Sequence, residues 1–261
     1  MTVARDGAEH LLDGQAHLWW ARPDAFRDPE QLAHLRALLS DEERSKTDRY
    51  RFERDRHACL VTRALVRVTL SRYHDVIPAR WQFRTNTHGR PEVAWPVTSL
   101  RFNVSHTDGL IVCLVSRGRE VGVDTEHLNR VQHWLDLADR FFSPEEGVAL
   151  RQVTTKDRPT KFLEYWTLKE SYIKARGMGL ELPLSGFVFD LSRHTDDIKV
   201  RFTSAINDDA ARWQFTVGRL GKGHLVATAL ERRNRDQVAI TYREACEPLL
   251  PPPQFHTDRR S

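Results

Sequence analysis

The chain has 261 residues, of which 40% are hydrophobic, so it is long enough for one large domain or two small ones with an apolar core. Its seven Trp and twelve Phe residues exclude a disordered chain, and its net charge of +4 favours an anionic partner without distinguishing nucleic acid, nucleotide and acidic protein. The longest apolar run (110–115) cannot cross a bilayer, residues 1–12 lack the apolar segment of a signal peptide, and Cys59, Cys113 and Cys246 form no metal-binding pattern, so we expect a soluble cytoplasmic protein with free thiols.

The first half of the chain is predicted to run from one strand through helices to further strands. A strand is expected at 18–20 and a helix at 29–39. Ser40 and Glu43 form a capping box, and the helix that they begin continues as an amphipathic pattern to about residue 73. Strands are expected at 93–95, 100–106 and 110–116, with Asp108-Gly109 as the hairpin turn between the last two.

The helix after Ser40 is rich in cations, which are Arg44, Lys46, Arg49, Arg51, Arg54 and Arg56. Because Asp48, Glu53 and Asp55 are interleaved with them, composition alone favours a solvated face. A phosphate-binding patch is the alternative, and it stays open at this point.

The second half repeats this order of elements, although no sequence repeat is visible. We place the domain boundary at 117–119, which gives an N-terminal half at 1–119, a C-terminal half at 120–246 and a frayed tail at 247–261. The last strand of the C-terminal half has the alternative of packing back on the first half. Helices are expected at 131–141, from Ser143 with a second capping box, and at 166–174 before Gly177. The predicted strands are 121–126, 187–190, 198–202, 213–217, 224–230 and 238–242.

Two short stretches of the second half carry the charges of a candidate site. Glu170 and Lys174 are four residues apart, so they leave the same face of a helix. Asp124 and Glu126 are two apart and project from one side of a strand. Each pair alone is more often a solvated pair or a strand end. If the strand faces the helix, three carboxylates and one ammonium converge into a seat for a hard divalent cation beside a phosphate.

Four motifs in order resemble those of the 4'-phosphopantetheinyl transferases, specifically the large monomeric surfactin-synthetase type. They are F-N-V-S-H (102–106), G-V-D-T-E (122–126), R-F-F-S (140–143) and W-T-L-K-E-S-Y-I-K (166–174). The turn H-G-R-P (88–91) matches that family's G-[KR]-P turn as well. The resemblance covers roughly residues 39–184, and the ordered set is far more specific than any one motif.

The resemblance implies an α+β pseudo-dimer of two similar halves, each a small antiparallel-rich sheet against a long helix, with coenzyme A in the cleft between them. The expected reaction moves 4'-phosphopantetheine from coenzyme A to a serine of an apo acyl or peptidyl carrier protein and releases adenosine 3',5'-bisphosphate. It depends on Mg²⁺, or on Mn²⁺ in its place. By this likeness, the large two-half form goes with secondary metabolism. We further expect a monomer whose partners include neither nucleic acid nor a membrane.

The resemblance also assigns residues. Asp124, Glu126 and Glu170 would hold the metal on the pyrophosphate, Lys174 and His106 would contact phosphate oxygens, and Ser105 would lie beside them. Gly89, Arg90 and Pro91 would line the adenine side, and Lys46, with Arg49 or Arg56, would take the 3'-phosphate. The last assignment is affected by Glu43, which stands where the family often has a basic residue, so that Arg44, Lys46 or Arg56 would have to compensate.

Two hypotheses follow for the chemistry and for the partner. Glu170 is expected to accept the proton of the carrier serine, directly or through a metal-bound water. The carrier is expected to dock near residues 127–134, where Arg130 and Arg140 would meet its acidic surface.

Two competing functions remain on the residues alone. Clustered acids, a lysine and a basic helix would also serve a metal-dependent nuclease or phosphodiesterase. A non-catalytic basic binding module is the second alternative, and it predicts neither metal dependence nor a loss of activity on Glu170→Ala. The ordered motifs favour the transferase.

Overall fold

The computed structural model describes residues 10–129, 134–191 and 198–245. Its first half contains five strands and three helices, which are β1 (Gln15–Ala21), α1 (Pro29–Ala37), α2 (Asp41–Asp48), α3 (Glu53–Ser71), β2 (Gln82–Thr85), β3 (Pro91–Trp95), β4 (Leu100–Thr107) and β5 (Leu110–Arg117). The second half contains β6 (Val121–His127), α4 (Trp134–Phe141), α5 (Pro144–Gln152), α6 (Arg158–Arg176), β7 (Phe187–Asp190), β8 (Lys199–Phe202), β9 (Trp213–Leu220) and β10 (His224–Glu231), and β11 (Ala239–Glu244) follows. The predicted α+β fold with small antiparallel-rich sheets is therefore confirmed.

The two halves share one topology. In the first, β1 pairs antiparallel with β5, and β5 pairs antiparallel with β4. In the second, β6 pairs with β10 and β10 with β9 in the same way. Each half also has a 19-residue helix followed by a two-stranded hairpin, β2–β3 or β7–β8. This correspondence matches the expected pseudo-dimer. Strand β11 breaks it, because it adds in parallel to β1 of the first sheet.

The apolar residues form three layers that explain this arrangement. One core packs α3 on the first sheet, a second packs α6 on the second sheet, and a third lies between the sheets. Strand β5 is buried on both faces, since Ile111 and Cys113 face α3 while Val112 and Leu114 face the other sheet. This is why residues 110–115 form a continuous apolar run rather than an alternating one. Among the described residues, no helix is long and apolar enough to span a bilayer.

One predicted helix is in fact two. The amphipathic stretch after Ser40 breaks between α2 and α3, and Phe52 has extended backbone there. The Arg56 guanidinium donates to the Tyr50 and Arg51 carbonyls at 2.7 and 3.2 Å, and so supplies partners that a continuous helix would have supplied. Since this stretch contains neither Gly nor Pro, no local signal marked the break.

The position of α6 on β6 depends on Gly122. A Cβ on this residue would overlap the Ser171 carbonyl oxygen and the Ala175 nitrogen, both backbone atoms of α6 that cannot move independently. The missing side chain therefore allows the close approach that brings the β6 acids to the charged face of α6.

We expect Gly122→Ala to destabilise the fold by about 3 kcal/mol or more, because the added methyl group must push α6 off the sheet. The check is urea unfolding of the variant and of Gly218→Ala. Gly218 lies in β9, where a Cβ would have no neighbour within 4 Å. Equal midpoints for the two variants would contradict the packing argument.

Candidate active site

Three segments bring their polar side chains to one point where the two halves meet. Lys174 of α6 donates from Nζ to Asp124 Oδ1 of β6 at 2.6 Å and to Ser105 Oγ of β4 at 2.9 Å. Ser105 Oγ in turn donates to Asp124 Oδ1 at 2.9 Å. Side chains alternate between the two faces of a strand, so Asn103 and Ser105 lie on the same face of β4. The arrangement presents an ammonium and a hydroxyl beside a carboxylate, which suits the binding of an oxyanion next to a cation.

Glu170 lies one helical turn before Lys174 and is less exposed than a surface glutamate. Burial, followed by the charge of Asp124, raises its pKa to about 7, the Lys174 ammonium opposes this, and Glu126 raises it further. The two acids of β6 therefore act electrostatically on Glu170 of α6, although they come from a different element. A carboxyl group that titrates near neutral pH is suited to accept and release protons under working conditions.

The acids also fit a divalent cation in one specific respect. Asp124 Oδ2 is buried and has no hydrogen-bond partner, while Oδ1 already accepts from Lys174 and Ser105. A buried carboxylate oxygen without a partner is costly, and a cation would satisfy it and relieve the repulsion that raises the pKa of Glu170. Within residues 10–129, 134–191 and 198–245, no three His, Cys, Asp or Glu side chains are arranged to hold a metal ion. The shared Mg²⁺ site stays a prediction.

A cavity of about 270 Å³ opens beside these groups. It lies between the β2–β3 turn, strand β4 and the C-terminal part of α6, and its lining residues are His88, Gly89, Arg90, Pro91, Asn103, Val104, Glu170, Ile173, Lys174, Gly177 and Gly179. The turn at 88–91 and the charged face of α6 are thus walls of one cleft.

Arg90 holds the two halves together at this cleft. Its Nη1 donates to the Ala175 carbonyl at 2.7 Å and pairs with Glu120 at 2.7 Å. Its buried Nε has no partner among the described residues. The planar guanidinium, which has donors in several directions, can make both contacts at once, whereas a lysine would offer a single point charge. Arg90 is therefore mainly a structural link between the two halves. The turn to which it belongs (88–91) lines the cavity.

Sequence reasoning missed the residue that seats this turn. Asn86 accepts from the backbone N–H groups of His88 and Arg90, both at 2.9 Å, and its Nδ2 donates to the Gly177 carbonyl at 2.8 Å. An Asn shortly before a Gly is a local sequence signal for a turn. The hydrogen-bond partner of Asn86, the Gly177 carbonyl, lies 91 residues away in the chain, and no sequence pattern indicates it. Asn103, quoted only as part of a motif, fixes β4 to β6 by accepting from the Val123 N–H at 2.9 Å.

Not every predicted site residue lies at this point. His106 follows Ser105 directly, so alternation turns its exposed side chain to the opposite face of β4, on the α3 side. Of the predicted 3'-phosphate cations, Arg56 is committed to loop carbonyls and to Glu53. Lys46 makes an exposed pair with Glu42 at 2.7 Å, and exposed Arg49 has no ion pair within the described ranges.

The structure explains why position 43 holds a glutamate, where the family often has a basic residue. Glu43 caps α2 and pairs with buried Arg67 at 2.6 Å, so a carboxylate is needed there as the counterion of a guanidinium that is almost fully enclosed. Arg44 already has partners, since its guanidinium donates to the Leu39 carbonyl at 2.6 Å and pairs with Asp41. Of the expected docking cations, Arg140 is exposed on α4, and Arg130 lies outside the described residues.

The raised pKa of Glu170 gives a pH-dependent stability for the metal-free protein. Between pH 4.5 and about 7 the unfolded chain has lost this proton while the folded chain still holds it. The free energy of unfolding should therefore fall as pH rises through that window. At about pH 8, Glu170→Gln should be more stable than the unchanged protein by about 1–3 kcal/mol, and at about pH 4 the two should agree.

Urea unfolding in the presence of a chelator measures this, with Glu164→Gln, on the same helix but outside the cavity, as the matched control. If the free energy of unfolding varied with pH in the same way for Glu170→Gln and for the unchanged protein, Glu170 would not be buried beside like charges.

Two family models together match most of the chain. That of "4'-phosphopantetheinyl transferase, N-terminal" matches residues 27–118, and that of "4'-phosphopantetheinyl transferase superfamily" matches residues 120–229.

Individual relatives carry the same name. The 4'-phosphopantetheinyl transferase HetI of Nostoc sp. is 35% identical over 65% of this chain and 72% of its own length. A phosphopantetheinyl transferase of Thraustochytrium sp. is 32% identical over 83% of this chain and 77% of its own length. The 4'-phosphopantetheinyl transferase Sfp of Bacillus subtilis is 30% identical over 60% and 69%. The crystal structure of Thermotoga maritima holo-acyl-carrier-protein synthase is similar at a TM-score of 0.35 and 19% identity, over 44% of this chain and 64% of that one.

Proposed function

Because the chain belongs to the 4'-phosphopantetheinyl transferase family, we propose that it transfers 4'-phosphopantetheine from coenzyme A to a serine hydroxyl of an apo acyl or peptidyl carrier protein. The reaction releases adenosine 3',5'-bisphosphate and depends on Mg²⁺. One observation carries the proposal. It is the meeting of Lys174, Asp124 and Ser105, with Glu170 beside them, at a cleft that the turn at 88–91 also lines.

The division of labour between the halves is part of the proposal. We assign residues 1–119 to the adenine and 3'-phosphate side, with Gly89, Arg90 and Pro91 lining it. Residues 120–246 would supply the metal and pyrophosphate side and the carrier-docking surface. Lys46 and Arg49 are preferred over Arg56 for the 3'-phosphate, because an exposed ion pair is readily exchanged while the contacts of Arg56 hold a loop.

The chain's own groups then act as follows. Lys174 and Ser105 bind oxygens of the pyrophosphate, and His106 contacts phosphate oxygens from the α3 side of β4. Glu170 accepts the proton of the carrier serine as its oxygen forms a bond to the β-phosphorus of coenzyme A and the bond to the bisphosphate leaving group breaks. Held by Asp124, Glu126 and Glu170, Mg²⁺ would neutralise charge on the pyrophosphate oxygens. Positioning and charge neutralisation supply most of the catalysis in such transfers.

The test is incubation of the purified protein with coenzyme A, Mg²⁺ and a panel of apo carrier proteins, followed by intact-protein mass spectrometry. We expect one phosphopantetheine increment on the carrier, none on a carrier whose serine is replaced by alanine, and none with a chelator in place of Mg²⁺. No increment on any carrier, together with hydrolysis of a phosphodiester substrate, would favour the nuclease alternative instead.

A further inference from the structure

A second cavity of about 270 Å³ shares no lining residue with the candidate active site. Three segments form it, which are the end of β1 and the residues after it, the β4–β5 turn, and the β9–β10 turn. The lining residues are Trp20, Arg22, Gly109, Leu110, Leu220, Gly221, Lys222, Gly223 and His224. It thus lies where hairpin turns from the two halves meet.

The two turns are joined by a specific contact. His224 Nε2 lies 2.7 Å from the Asp108 carbonyl oxygen, and the His224 ring packs edge-on against the His127 ring with centroids 4.9 Å apart. Burial, opposed by the bond to this carbonyl, lowers the pKa of His224. With its Nε2 protonated, the neutral imidazole donates to this carbonyl and links the β9–β10 turn to the β4–β5 turn. The cavity is therefore held by contacts between the halves rather than by one mobile loop.

The walls of this cavity combine apolar surface with free positive charge. Trp20, Leu110 and Leu220 belong to the apolar layer between the sheets or pack against it. Arg22 lies over the Trp20 ring, with Cζ 5.6 Å from its centroid. Neither Arg22 nor exposed Lys222 forms an ion pair with any residue of the described ranges, and nearby Asp24 pairs with Arg27 instead. The carboxylate of Asp108, on the exposed turn, is the acidic group that faces His224.

We propose that this cavity binds a small organic anion in which a phosphate or carboxylate group is attached to a flat apolar body. Arg22 and Lys222 would bind the anionic group, and the flat part would lie on Trp20 and the two leucines. Gly221, at φ +65°, has no Cβ that would fill the entrance beside the Arg22 guanidinium. A cavity of about 150 Å³ is enough for a benzene ring, so the volume here accommodates one ring and its anionic group. The proposal is independent of the transferase function.

Three probes test the proposal. Phenyl phosphate carries both the charge and the ring, inorganic phosphate carries the charge alone, and phenol carries the ring alone. We expect phenyl phosphate to shift the Trp20 indole N–H resonance saturably, with the resonance identified by its loss in Trp20→Phe. The affinity of phenyl phosphate should exceed that of inorganic phosphate or of phenol by about tenfold or more, since each of these two compounds lacks one set of contacts.

Charge variants locate the binding site. Lys222→Gln should weaken phenyl phosphate binding by about tenfold, the loss expected for one charge-assisted contact. Arg219→Gln is the matched control, because Arg219 is an exposed cation three residues earlier on the same hairpin that does not line the cavity. The proposal is overturned if Lys222→Gln binds phenyl phosphate as tightly as Arg219→Gln does, or if phenol binds as well as phenyl phosphate.

Discussion

Replacing Glu170 with glutamine is expected to lower the turnover number of phosphopantetheine transfer by about 10²- to 10⁴-fold, the range that a positioned general base contributes. The amide keeps the size and an oxygen of the side chain but cannot accept the serine proton. The effect should fall on kcat rather than on the Michaelis constant for the carrier, because Glu170 is proposed to act on the reacting hydroxyl and not on the docking surface.

The measurement is steady-state transfer at saturating Mg²⁺, so that weaker metal binding does not imitate a lost base. Glu164→Gln controls for an acid-to-amide change on α6, since Glu164 lies outside the cleft and pairs with Lys161 at 3.2 Å. Near-normal turnover of Glu170→Gln with metal present would refute the role of Glu170 as the base.

Replacing Lys169 with methionine is expected to destabilise the fold by about 3–5 kcal/mol, as breaking a buried ion pair does. The Lys169 side chain is fully buried, and its Nζ lies 2.9 Å from Glu146 Oε2 and donates to the Leu184 and Phe187 carbonyls at 2.7 and 2.6 Å. Without the ammonium, a buried carboxylate and two carbonyls lose their partner at once. Burial lowers the pKa of Lys169, and the Glu146 carboxylate opposes this shift.

Urea unfolding of three proteins separates this effect from the loss of a surface charge. Lys156→Met is the control, because Lys156 is exposed and forms no hydrogen bond or ion pair with the described residues. The double variant Glu146→Gln with Lys169→Met should recover part of the lost stability, since no unpaired charge is left inside. Equal stabilities of Lys169→Met and Lys156→Met would show that the pair contributes nothing.

This ion pair also bears on the active site. Lys169 and Glu170 are neighbours on α6 and point to different surroundings, one into the core and the other into the cleft. Glu146 additionally accepts from the Ser143 and Phe189 N–H groups at 3.0 Å, so the pair fixes α6 to α5 and β7. The motif at 166–174 therefore contains one residue that anchors the helix and, by our proposal, two that act at the site.

The sequence by itself determined what depends on near neighbours in the chain. Both capping boxes, at Ser40 and Ser143, are confirmed with side chain and backbone paired as expected. Strand β7 has its predicted bounds, and α6 contains the predicted helix but begins earlier, at Arg158. The helical period predicted Glu170 and Lys174 on one face of a helix, and the strand period predicted Asp124 and Glu126 on one side of a strand. Caps and periods act over two to four residues, which is why a single sequence shows them.

Only the tertiary structure decided what each charge does. It divided one predicted helix into α2 and α3, revealed β2, and committed Arg56 and Arg90 to carbonyls instead of leaving them free. It buried Lys169 and raised the pKa of Glu170 through burial and acids from β6. These outcomes depend on solvent exclusion and on partners that the fold supplies, some of them 85 residues or more away in the chain. No local pattern encodes such partners, because burial and long-range charge exist only once the two halves have packed together.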